Sequence, residues 1–503
     1  MKTTQRDIAL PAYLRPAALV AIVLALTLVR LWVGSQAGLA EDEAYYRLWG
    51  LSPAFGYLDH PPMVGWWIAL GQTFLGDTAL AVRITGILAA ALGSLVLWRT
   101  ADILFGRTVA GWSVLLFNAT VLIGVGSLIA TPDAPSVFFW GLGLWAVAEL
   151  IRSQNPYWWL AVGLFAGLGL VSKYSVLFFG AGLVLWLLFM AKGRRWLTAW
   201  QLWVGGALAV LVFLPVLLWN AGHEWASFAK QFGRAVPEGF TLKYLAEFVG
   251  ALAGLLNPLV ALLAVAGFVQ LVGQMRQGDE KAGLIVLGVL PFIAYLVFHS
   301  FHARVQGNWP APLFPAFAMM AGVAAANLPK ALPRFWRGVR QAAVPLGIVV
   351  SLLVMLHAAM PFTGAFARRD PTHQTRGWEE IAAGVERIAA DQGAAWVASN
   401  NYAPASQLAF ALRGRLPVEQ LNERIRYVMQ APLDEDIVAK PALFITRARN
   451  DPGADYLRQR FGSVERLPDL TRQSLGTPIE DLVVYRVADP VGDPRDPVFP
   501  AEG

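Results

Sequence analysis

The chain has no cysteine among its 503 residues, which excludes disulfides and any thiolate-based metal or redox site. Charge is scarce as well, with Asp, Glu, Lys and Arg making up only 15% of the sequence, too little to cover an ordinary soluble protein of this length. No internal repeat is visible, which weakens a transporter built from duplicated halves. No glycine-rich loop for a nucleotide phosphate is present either. The polar, basic stretch Met1 to Arg15 is followed by a long apolar run without a small-residue cleavage site, so that run reads as a retained span. What abounds is apolar surface: 56% of residues are hydrophobic, 20 are Trp, and the mean hydropathy is +0.50. That is the composition of a polytopic membrane protein. The net charge of +6 sits in short loops between apolar segments and signals no nucleic-acid partner.

About eleven segments have spanning or near-spanning length. They run over 16–36 (interrupted by Arg30), 80–98, 109–126, 134–151, 158–172, 174–191, 200–219, 246–272, 282–300, 311–328 and 340–360. Loop charges orient them. With a cytoplasmic N-terminus, one set of loops holds Arg99, Arg107, Arg152, Lys192, Arg194, Arg195, Arg276, Lys281, Lys330, Arg334, Arg337 and Arg340. The opposite set is poorer in Lys and Arg, and the richer set belongs inside. An odd number of crossings then leaves the C-terminus outside. The same orientation gathers nearly every unusual polar motif on the outer face: Glu41-Asp42-Glu43, Asp59-His60, Thr131-Pro132-Asp133, Ser172-Lys173-Tyr174, His223-Glu224-Trp225, Lys230, Arg234 and His299 to Asn308. A purely structural origin would scatter them over both faces.

The expected division is a transmembrane part, 1–360, and a soluble extracytoplasmic α/β domain, 361–503. Within the first, loop 37–80 is rich in aromatic residues and broken by Pro53 and Pro61-Pro62, a pattern for short helices lying at the interface. Within the second, Gly377 to Ala390, Gln407 to Arg413 and Ala454 to Phe461 read as helices. Ala394 to Ser399, Ala442 to Thr446 and Leu482 to Val487 read as strands. The Pro-rich end from Pro490 is expected to fray.

Three carboxylates directly after the first span are costly unless they meet a polar partner or a wet cavity. Asp42 in a partly dry site would have a raised pKa and serve as a general base toward a hydroxyl nucleophile. His60, pinned by two prolines, suits an anionic headgroup. Asp133 reads equally as a helix N-cap, and Lys173 equally as a snorkelling cation. Together His60, Lys173, Lys230, Arg234 and Arg304 would ring the acidic face, as an anionic ligand at bilayer depth requires.

These motifs carry a resemblance. Asp42-Glu43 with Tyr45-Tyr46, Tyr57 through Met63, Thr131-Pro132-Asp133 and Val305 through Pro312 resemble the bacterial family 39 glycosyltransferases, relatives of protein O-mannosyltransferases and lipid A aminoarabinose transferases. His223 through Phe228, Gly377-Trp378 and Ala398 through Tyr402 add to it. The resemblance implies a GT-C fold and transfer of a sugar, with inversion, from a polyprenyl-phosphate carrier to an acceptor outside the cytoplasm, at the bacterial inner membrane. It implies catalytic roles for Asp42, with Glu43 beside it, and Asp133. His60 stands where aminoarabinose transferases place a phosphate-contacting lysine, so its charge depends on pH. Lys173, Arg234 and Arg304 would supply further donor-phosphate contacts, and Tyr46, Asp59, His223, Gln306 and Asn308 would line the pocket.

The physics runs the same way. Lipid phosphate is a competent leaving group, so fixed cations and a single base suffice, unlike the paired carboxylates of a retaining hydrolase. No cofactor is required by this scheme; a divalent metal on Glu41, Asp42, Asp59 and His223 is possible but matches no ligand pattern. The expected partners are the lipid-linked donor, the bilayer, and an acceptor that is lipid A, another envelope glycan, a glycolipid or a protein. A polymerase or ligase using a larger lipid-linked donor, and a lipid or sugar transporter, are the alternatives.

Overall fold

A computed structural model describes residues 10–233, 239–327 and 333–499. The candidate Arg234 and the loop cation Lys330 lie outside the described residues. The helices in chain order are α1 (Pro16–Gln36), α2 (Glu41–Leu51), α3 (Met63–Leu75), α4 (Ala79–Phe105), α5 (Arg107–Asn118), α6 (Val121–Gly124), α7 (Asp133–Ser153), α8 (Trp158–Ser172), α9 (Leu177–Phe189), α10 (Ala191–Arg194), α11 (Trp200–Ala221), α12 (Ala226–Gly233), α13 (Lys243–Leu256), α14 (Pro258–Arg276), α15 (Glu280–Ser300), α16 (Phe314–Asn327) and α17 (Arg334–Ala359). Among the described residues, seven helices are long and apolar enough to cross a membrane: α1, α4, α7, α11, α14, α15 and α17. Two bent pairs, Arg107–Asn118 with Val121–Leu128 (68°) and Tyr174–Phe189 with Ala191–Thr198 (102°), raise the number to nine if each is one span.

Two of these elements differ instructively from the sequence expectation. The run 246–272 is two helices rather than one, because Asn257 adopts φ +71° and caps α14 by accepting from the Leu259 amide, with Pro258 at its first position. Hydropathy is blind to that break; an Asn-Pro pair is a helix start. The run 109–126 bends where Thr120 Oγ1 accepts from the Ile123 amide. Buried Arg30, the interruption in the first apolar run, donates there to the Gly124 carbonyl (3.3 Å) and to Asn118 Oδ1 (3.4 Å), satisfying polar groups that the bend leaves inside the bundle. Gly347 of α17 packs on the same bend so closely that a Cβ would lie 1.8 Å from the Ala119 carbonyl oxygen. Loop 37–80 contains α2 and α3, the short helices expected there.

Beyond Met360 come α18 (Trp378–Gln392), α19 (Tyr402–Ala411) and five strands: β1 (Trp396–Ser399), β2 (Val418–Gln420), β3 (Ala442–Arg447), β4 (Phe461–Ser474) and β5 (Thr477–Pro490). The sheet order is β2-β1-β3-β5-β4; β1 runs parallel to β2 and β3, whereas β5 is antiparallel to both β3 and β4. The helix expected over Ala454 to Phe461 stops at Arg458, and Phe461 opens β4. Strand β4 escapes sequence reading because its charged residues hide the alternation. The end expected to fray is instead held through Asp496, whose amide donates to the Leu421 carbonyl (2.8 Å) and whose carboxylate takes Arg460 (2.6 Å).

Candidate active site

Successive helical residues point about 100° apart, so the acids that open α2 face three directions and meet three different fates. Glu43 is fully buried. Its carboxylate receives Arg83 of α4 at 2.8 and 2.6 Å, the Ala40 amide at 2.9 Å and the Ala130 amide at 3.1 Å. Arg83 also donates to the carbonyls of Gly34, Ala37 and Gly38. With every lone pair committed, Glu43 fastens the first turn of α2 and has no free electrons for a substrate. Glu41 is ion-paired with Arg447 at the end of β3.

Asp42 differs from both. Among the described residues it has no ion-pair partner; it accepts one neutral hydrogen bond, from the Tyr402 hydroxyl at 3.0 Å. Asp42 is exposed although protein surrounds most of it, as befits a group lining a recess. Burial pushes its pKa up; the Tyr402 hydrogen bond and Arg426 oppose that push, and Glu41 and Asp59 reinforce it. A carboxylate with a raised pKa, open to solvent and held by a neutral donor, is equipped to accept a proton.

Asp59 is a tether. Lys230 of α12 lies 2.8 Å from one oxygen; Arg426 and the Tyr45 hydroxyl (3.0 Å) reach the other. Burial would raise its pKa, but Arg426 and Lys230 outweigh that and hold it below the usual carboxylate range. Tyr46, buried, has its hydroxyl pKa driven up by burial and then by Asp42, Asp59, Tyr402 and Asp133. The acids of three separate segments therefore act on one ring. His60 packs edgewise on the same ring, 6.3 Å between centroids.

Asp133 opens α7 beside this group. Lys173 donates to it at 2.5 Å and Asn308 at 2.6 Å. Behind them lies a cavity of about 240 Å³, lined by Gly86, Ala90 and Gly93 of α4, Phe117 and Leu122 at the bend, and Val137 and Phe138 of α7, with Thr131, Asp133 and Asn308 among its few polar walls. Small residues on α4 leave the room.

Other sequence candidates stand apart from these contacts. His223 stacks on Trp219 at 4.1 Å and contacts its carbonyl through Nδ1 at 2.7 Å, at the end of α11. Arg304 is exposed and paired with Glu247 at 3.3 Å. Gln306 is exposed. Among the described residues, no three His, Asp or Glu side chains converge as a metal-ligand set, so Glu41, Asp42, Asp59 and His223 do not form one.

Sequence reasoning missed the contribution from beyond Met360. Tyr402, Arg426 and Arg447 bind three of the acids, and Gln407 donates to the Leu39 carbonyl at 2.8 Å. Tyr402 ends the motif that begins at Ala398, but nothing local marks its partner. Arg83 had a signal: a single arginine inside an apolar run demands a buried counter-charge or a set of buried acceptors.

A family model described as dolichyl-phosphate-mannose-protein mannosyltransferase matches residues 59–219. The lipid A galacturonosyltransferase RgtD of Rhizobium johnstonii is 25% identical over 283 residues, 56% of this chain and 59% of that protein. An undecaprenyl phosphate-alpha-4-amino-4-deoxy-L-arabinose arabinosyl transferase of Pseudomonas paraeruginosa is 27% identical over 485 residues, covering 80% of this chain and 83% of that one. The crystal structure of ArnT from Cupriavidus metallidurans, bound to undecaprenyl phosphate, superposes with a TM-score of 0.65 at 16% identity over 96% of this chain and 100% of that one. The helical GT-C fold implied by the motifs is therefore present, and the resemblance to this group of glycosyltransferases holds.

Proposed function

We propose that the chain, built on the GT-C fold, is an inverting glycosyltransferase that moves a sugar from a polyprenyl-phosphate carrier to an extracytoplasmic envelope acceptor. The name of its galacturonosyltransferase relative points to lipid A as the acceptor class. The observation that carries the chemistry is Asp42, the one acid of its triplet without an ion pair among the described residues.

In this scheme the acceptor hydroxyl is deprotonated by Asp42 as its oxygen attacks the anomeric carbon. The bond from that carbon to the phosphate oxygen breaks on the opposite side, and the lipid phosphate leaves with the electron pair. Fixed cations stabilise its charge, a role given to Lys173 and His60, with Arg304 and Arg234 as sequence candidates. Asp133 holds Lys173 and Asn308 in place before the donor arrives, and Glu43 positions α2. Tyr46 and Asp59 shape the pocket, and no metal takes part in the scheme.

We assign eleven crossings to the seven long helices, the two bent pairs, and the short apolar helices Trp158–Ser172 and Ala311–Asn327. We assign residues 1–360 to the membrane and 361–503 to an extracytoplasmic domain, with the N-terminus cytoplasmic. Asp42→Asn keeps the shape of the side chain and removes its basicity. It is expected to cut transfer by about 10²–10⁴-fold while the folded protein still binds polyprenyl phosphate. Near-normal turnover in purified Asp42→Asn enzyme would overturn the general-base assignment, and donor consumption in detergent by the unaltered protein would exclude a pure transporter.

A further inference from the structure

The β4–β5 hairpin turns on Leu475-Gly476, with φ +49° and +76°. A two-residue turn of that geometry favours Asn or Asp at its first position, and leucine there is disfavoured. Yet Leu475 is 63% exposed. A large apolar side chain is thus held in an awkward backbone conformation and pointed away from the sheet.

Its neighbours share the trait. Met360, Phe362 and Phe366, which follow helix α17, are 53%, 61% and 61% exposed. They belong to the same surface, because a Cβ on Gly364 would lie 2.6 Å from the Ser474 carbonyl oxygen. The height of this surface is fixed by Arg376. One nitrogen donates to the His357 carbonyl (2.8 Å) in the last turn of α17, and the other to Ser474 Oγ (3.4 Å) beside the hairpin tip. The tip therefore stands level with the end of a membrane-length helix. Exposed Arg368 and Arg369 follow; of the adjoining acids, Glu480 is ion-paired with Arg472 at 2.6 Å, while Asp481 accepts the Thr471 hydroxyl at 2.7 Å and keeps its charge, which the two arginines outnumber.

We propose that this surface docks on the bilayer, with Leu475, Phe362 and Phe366 entering the acyl boundary and Arg368 and Arg369 meeting anionic headgroups. The proposal rests on α17 crossing the membrane. Pinned at a second point beyond the α17 junction, the segment beyond Met360 holds Tyr402 of α19 and Arg426 at the height of Asp42 and Asp59.

The absence of cysteine makes a direct test simple, since each introduced cysteine is unique. Nitroxide labels at Leu475→Cys and Phe366→Cys are compared in phosphatidylethanolamine–phosphatidylglycerol nanodiscs with labels at Val349→Cys, mid-helix in α17, and Asp455→Cys, whose side chain is 97% exposed. The expected result is greater accessibility to oxygen than to a nickel chelate at Leu475, Phe366 and Val349, with the reverse at Asp455. If Val349 is immersed while Leu475 and Phe366 behave as Asp455 does, the docking surface is wrong and the span stands. Shielding of Leu475 from both reagents would mark a protein neighbour and equally overturn the proposal. An unimmersed Val349 would instead refute the span.

Discussion

The Tyr402 hydroxyl stands 3.0 Å from Oδ1 of Asp42, joining residues 360 positions apart in sequence. The hydrogen bond favours the ionised form of Asp42 against the burial that disfavours it. Tyr402→Phe removes that support, so the Asp42 pKa rises. Because the base must be deprotonated to act, the acidic limb of the kcat/KM profile moves to higher pH. A pH–rate series on the variant checks this, and a limb that stays in place would show that Tyr402 does not tune the base.

Arg83→Met strands the buried carboxylate of Glu43. Removing one partner of a buried pair costs about 3–5 kcal/mol, so thermal unfolding in detergent should fall steeply. Changing Glu43 as well should recover only part of the loss, because Arg83 also satisfies three backbone carbonyls. Unaltered stability in Arg83→Met would contradict the role given to this pair.

Asp59 makes stability pH-dependent. Its folded pKa is lowered, so its stabilising contribution is complete above the unfolded value of about 3.9 and disappears as pH falls through the lower folded one. The wild type should lose stability as pH drops below about 4. Arg426→Met should be less stable at neutral pH and show a shallower acid loss, read from melting temperatures across the pH range. Equal slopes in both proteins would exclude the Arg426 contribution.

At His60 the expected change is in donor binding. A neutral histidine attracts phosphate less than a protonated one, so donor KM should climb with pH in the wild type. His60→Lys should keep activity and flatten that climb. An inactive His60→Lys enzyme would mean that His60 does not serve as a cation toward phosphate.

The helical half of the fold was legible because apolar runs of spanning length have few alternatives. The break at Asn257 and the bend at Thr120 were not, since hydropathy does not register capping chemistry inside an apolar stretch. In the site, the acids after the first span announced themselves by position. Their differences did not. Glu41, Asp42 and Glu43 look interchangeable until Arg447, Tyr402 and Arg83 arrive from remote segments, and only tertiary structure decides which of three neighbours stays free for chemistry.

Arg83 grips Glu43 and the carbonyls just before α2 at once, which leaves the neighbouring carboxylate almost no travel. A proton acceptor mounted so rigidly cannot swing out to meet its reactants. Hydroxyl and anomeric carbon have to be delivered to a stationary point, and whatever yields to admit a long-chain lipid must belong to other parts of the molecule.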